Sequence, residues 1–111
     1  MAKFKPDDLA RRCLCIDTVP GDVQVDEIRA YLIGIIDFHV TKSGKHVFLF
    51  KDEQAARSQL QKTPKIILKN GRTANNTTCL NVKLCDVGDI NTSWLYQNQP
   101  MEEQGTIYVN V

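Results

Sequence analysis

The sequence is short of aromatic rings, of net charge and of long apolar runs. Only 7% of its 111 residues are aromatic, with a single tryptophan. A surface built from stacked rings has little material to draw on. Against 14 basic side chains stand 13 acidic ones, a formal net charge of +1. No global basic field marks a nucleic-acid binder, and no acidic excess marks a cation store. No apolar stretch approaches the ~18 residues that span a bilayer. The leading residues, MAKFKPDDLARR, lack the apolar centre of a secretory signal. The expectation is an intracellular chain, nuclear or cytoplasmic, with no membrane segment.

Reactive constellations are equally scarce. His39 and His46 are the only histidines, and neither stands at a spacing that suggests a nucleophile–base pair. Lys42-Ser43-Gly44-Lys45 is too short for a phosphate-cradling loop. Asp52-Glu53 suits a helix start better than an acid pair. The expectation is no enzyme and no cofactor. Four cysteines stand at 13, 15, 79 and 85. With no export signal, reduced thiols are expected. Cys13-x-Cys15 on a strand holds two sulfurs about 7 Å apart, whereas Cys79 and Cys85 are about 20 Å apart if both lie in one strand. One tetrahedral metal does not reach all four on that reading, so no metal site is expected.

What is present is ordinary globular material, 42% hydrophobic and 24% charged, enough for one domain. Residues 1–11 are polar and read as a flexible lead-in. Residues 12–17 form an apolar strand that ends in a Pro-Gly turn. Residues 23–33 place Val25, Ile28 and Leu32 on one helical face, with Asp22 as cap and Gly34 as stop. Ile36, Phe38 and Val40 alternate with Asp37 and His39 in a second strand, and residues 46–50 form a third beyond a hairpin. Asp52 caps a second helix over 53–62. A short strand at 66–68, a turn at Asn70-Gly71 and a strand over 79–85 follow. The order is strand, helix, strand, strand, helix, strand. It predicts an α/β (α+β) domain, a ferredoxin-like βαββαβ sandwich with a four-stranded antiparallel sheet and both helices on one face. The other sheet face is left without a cover, and function is sought there.

Two runs carry a family resemblance. Leu14-Cys15-Ile16-Asp17-Thr18-Val19-Pro20 resembles the first-strand motif of the RNA recognition motif (RRM), and Ser43-Gly44-Lys45-His46-Val47-Phe48-Leu49-Phe50 resembles its third-strand motif. The resemblance covers residues 12–86 and implies an RRM-like domain there. It also implies single-stranded RNA stacked on rings of the open face. The three positions that usually supply those rings hold Cys15, Lys45 and Val47 instead. Two or three lost stacks, at about 1–3 kcal/mol each, weaken an ordinary binding mode by several orders of magnitude.

Two functions follow as expectations. The first is an atypical RRM used for protein–protein interaction within an RNA-handling protein or complex, through Cys15, Val47, Leu49, Trp94 and Tyr96. On that reading Val47→Asp abolishes partner binding and leaves the fold intact. The alternative holds single-stranded RNA weakly and salt-dependently through Lys42, Lys45, His39 and Lys83, with help from tail aromatics. Residues 87–111 read as a tail or linker that either covers the sheet or anchors a partner through Trp94. The strand-like run at 105–111 suggests an extra strand or the start of a following domain.

Overall fold

A computed structural model describes residues 4–69 and 77–96. The turn expected at Asn70-Gly71 and the strand-like run at 105–111 lie outside the described residues. The described elements are α1 (Pro6–Ala10), β1 (Cys13–Ile16), α2 (Val25–Arg29), β2 (Asp37–Val40), β3 (His46–Leu49), α3 (Glu53–Lys62), β4 (Lys65–Lys69), β5 (Thr77–Asn81) and β6 (Lys83–Leu84). Two 3₁₀ turns follow, at Val87–Asp89 and Thr92–Tyr96. The chain is thus a small mixed α/β domain with one four-stranded antiparallel sheet, ordered β2-β3-β1-β6. Strands β4 and β5 form a separate antiparallel pair.

Local chemistry explains most of these boundaries. The Asp52 carboxylate accepts the Ala55 backbone N–H at 2.8 Å, the N-cap bond expected at the start of α3. The β2–β3 hairpin closes through Gly44, whose φ of +92° falls in the left-handed region that glycine tolerates best. Helix α2 is shorter than its sequence pattern. It starts after Gln24, whose N–H donates to Glu27 Oε1 at 3.0 Å, and Asp22 is not the cap. The reason is Val23, which is buried in the core and held by a turn bond to the Pro20 carbonyl.

The strand expected over 79–85 is broken in two. Residues 77–81 pair with β4, while Lys83 and Leu84 pair with β1. At the switch, Val82 donates its N–H to the Pro64 carbonyl at 2.9 Å and buries its side chain. Changing partners turns the strand, so Cys79 and Cys85 no longer share one straight edge.

Alternation sorts the sheet into two faces. Leu14, Ile16, Phe48 and Phe50 face α2 and α3, and with Ile28, Leu32, Ala56, Ile66 and Leu80 they build one core. Cys13, Cys15, Val47 and Leu49 face the other way and build a second core with Leu9, Ala10, Ile90 and Trp94. The second face is therefore not open. Residues 6–10, expected within a flexible lead-in, fold into α1 and bury Leu9 and Ala10. Residues 87–96, expected as tail, fold back and bury Ile90 and Trp94. A backbone bond from Phe4 N–H to the Leu95 carbonyl, at 3.1 Å, ties the two flanks together. Both flanks carry apolar side chains that lose less free energy on the sheet than in water, which is why they dock.

Candidate binding face

The covered face is apolar at its centre and charged at its rim. Val47 lies between Cys15 on β1 and His39 on β2 in the strand register. Trp94 packs in the same cluster, and its Nε1–H donates to Asp37 Oδ2 at 2.9 Å. The His39 ring meets the Trp94 ring edge-on, with centroids 5.9 Å apart. His39 Nε2 lies 3.2 Å from the Asp89 carbonyl oxygen. A carbonyl only accepts, so Nε2 carries the proton in this contact.

At the rim, four charges interlock. Lys45 Nζ lies 3.0 Å from Asp89 Oδ2 and 3.6 Å from Asp17 Oδ1. Lys83 pairs with the other oxygen of Asp17. The Asp89 hydrogen bond pushes the Lys45 pKa up, although partial burial opposes it. The Lys83 hydrogen bond pulls the Asp17 pKa below its ordinary 3.8. A carboxylate with a depressed folded pKa contributes stability that is whole above its unfolded value and fades as pH falls through the folded one. Asp17→Asn should therefore lower stability near neutrality, modestly because Asp17 is exposed. The deficit should shrink once the pH drops below 3.8. Urea unfolding of both chains across that range checks it.

The sequence-predicted residues separate into two groups. Cys15, Val47, Leu49 and Trp94 do come together, but fully buried. They are packing partners of the chain's own flanks and reach a partner only if those flanks lift, so the expectation that Val47→Asp spares the fold is corrected. Tyr96 remains 57% exposed. Lys45, Lys83 and His39 stand at the rim, and each already has an intramolecular partner. Only Lys42 of the predicted RNA set is exposed on its loop without such a pairing among the described residues. The acidic partners Asp17 and Asp89 went unpredicted. So did Leu9, although Pro6 followed by Asp7 and Asp8 is a helix-start signature.

The thiols divide as well. Cys79 is exposed on β5 opposite Ile67, away from the covered face. Cys15 and Cys85 lie at that face, and their thiol pKa values are pushed up, first by hydrogen bonding with neighbouring thiols and also by burial.

Comparison with known proteins adds little. No family model matches the chain, and no curated protein matches it. Among solved structures it is similar to the Nab3-RRM, described for cis element recognition of non-polyadenylated RNAs. That similarity has 12% identity, covers 62% of this chain and 91% of that one, and has a TM-score of 0.42. A value that low carries no weight for fold or function. No helix among the described residues is long and apolar enough to cross a membrane.

Proposed function

We propose that the chain is a non-catalytic binding module, an atypical RRM with a ferredoxin-like core, that engages another protein rather than RNA bases. What supports this is the closure of the sheet face. The surface on which an RRM stacks bases is filled by Leu9, Ala10, Ile90 and Trp94. Two of the cations that would meet phosphates, Lys45 and Lys83, are paired with Asp89 and Asp17.

The partner surface is then sought at strand β2. Among the described residues β2 pairs only with β3, so no strand covers its other edge, although the Phe38 N–H already donates to Asp37 Oδ1 at 2.8 Å. Its Phe38 and Val40 side chains are 37% and 46% exposed. An extended peptide adding to that edge would gain both backbone bonds and apolar contact.

The test has two arms. Fluorescence anisotropy with mixed-sequence single-stranded RNA should give no tight binding at physiological salt, with any weak signal at low salt lost as salt rises. Tight binding that survives physiological salt overturns the reading. In the second arm, Val40→Asp should keep the wild-type circular dichroism spectrum and lose a protein that the wild-type chain captures. Equal capture by both chains removes the β2 edge as the site.

A further inference from the structure

The strand break at Val82 has a chemical consequence. It carries the chain back to β1, where Lys83 pairs with Cys15 and Leu84 with Leu14, and so brings Cys85 to the β1 side of the fold. The sulfurs of Cys15 and Cys85 and a carboxylate oxygen of Asp89 lie within 4.8 Å of one another. Cys13 belongs to the same buried cluster, against which Cys85 packs. Two thiols and a carboxylate thus converge, with the Cys13 thiol in the same cluster, from three separate pieces of chain: β1, the residue after β6 and the 3₁₀ turn at Val87–Asp89.

We infer that Cys13, Cys15, Cys85 and Asp89 form a binding site for a zinc-like divalent ion that fastens the tail to the sheet. Zinc takes four such ligands tetrahedrally, with Zn–S of about 2.3 Å, so its ligand atoms stand roughly 3.5–4 Å apart. Three of the four donors are already near that spacing. Cys13 lies in the same cluster, against which Cys85 packs, and is the thiol that would complete the set. Thiolate donors favour zinc over the oxygen-seeking magnesium and calcium.

Charge also fits. Binding displaces the three thiol protons to solvent, leaving three thiolates and one carboxylate around a doubly charged ion. The two excess negative charges face the ammonium groups of Lys45 and Lys83, both of which interact with Cys15. Asp89 uses Oδ2 for Lys45 and for the Asp86 N–H. Its Oδ1 takes no hydrogen bond among the described residues and remains available as a ligand. Burial holds the free thiols protonated, and the ion's own charge reverses that preference. Spacing along the sequence argued against a metal because it placed Cys79 in the set. The structure leaves Cys79 out and replaces it with Asp89.

The test is a titration of the reduced full chain with zinc chloride in competition with a chromogenic chelator, repeated with cobalt(II) for its absorption spectrum. The expected result is one ion per chain, an intense thiolate-to-cobalt charge-transfer band, and a rise in Tm on zinc addition. Cys85→Ser and Asp89→Asn should each weaken binding at least ~10-fold, whereas Cys79→Ser should leave it unchanged. Both Cys85 and Asp89 are only partly buried, so these variants should fold, which circular dichroism checks. Substoichiometric uptake, a cobalt spectrum without the thiolate band, or equal effects of Cys79→Ser and Cys85→Ser overturns the site.

Discussion

Replacing Trp94 with alanine should cost about 3–5 kcal/mol of folding stability, the range for deleting a large buried ring. Trp94 is fully buried against Cys13, Cys15, Val47 and Leu49 and is the largest side chain in that layer. Its loss leaves a cavity between tail and sheet and strips Asp37 Oδ2 of the indole N–H. The remaining tail contacts, among them Ile90, Leu95, the Phe4–Leu95 backbone bond and the Lys45–Asp89 pair, do not replace that area. The tail should therefore loosen before the rest of the domain. Urea unfolding followed by far-ultraviolet circular dichroism measures the cost. A loss under about 1 kcal/mol, the level of a surface substitution, would mean that Trp94 does not hold the face shut.

Val47→Asp should be more damaging, leaving the chain largely unfolded at room temperature. Val47 is completely buried between β1 and β2, with the tail above it. A carboxylate there is sealed from water, and burying a charge or an unsatisfied polar group costs several kcal/mol. Total stabilities of small domains are only about 5–15 kcal/mol. Val40→Asp is the matched control. It makes the same chemical change on the neighbouring strand at a half-exposed position, and should cost about 1 kcal/mol or less. Similar losses from the two substitutions would contradict the covered face. On an open sheet Val47→Asp would be tolerated, which is what the sequence pattern alone suggested.

The sequence pattern and the structure agree where the signal is local. The alternation in residues 46–50 correctly separates Val47 and Leu49 from Phe48 and Phe50, because side chains on a strand must alternate. Asp52 is read correctly as a cap because its bond reaches only three residues ahead. What the pattern misses is tertiary. Helix α1 has five residues and offers a single pair, Leu9 and Ala10, too little for a periodic signal. The sequence left open whether the tail covers the sheet or anchors a partner, because Ile90 and Trp94 are buried only through the sheet that stands opposite them. The break at Val82 is set by a backbone bond to Pro64, 18 residues away, so alternation from Leu80 to Leu84 continues straight through it. That one misreading also separates Cys85 from Cys13 and Cys15, and so hides the thiol cluster. The rim cations stand out in the sequence, but their partners Asp17 and Asp89 lie far from Lys45 along the chain and change their meaning from free to occupied.

The central claim is that the chain's own flanks close the sheet face, and site-resolved thiol alkylation tests it most directly. The folded, reduced chain is treated with a small alkylating agent in the presence of a chelator, and each cysteine is followed by mass spectrometry. Cys79 is exposed and should be modified first, while Cys13 and Cys15 are buried under Leu9, Ile90 and Trp94 and should remain protected. Trp94→Ala should accelerate their modification. If Cys13 and Cys15 in the wild-type chain react as fast as Cys79, the face is open in solution, and an exposed surface for bases or partners returns.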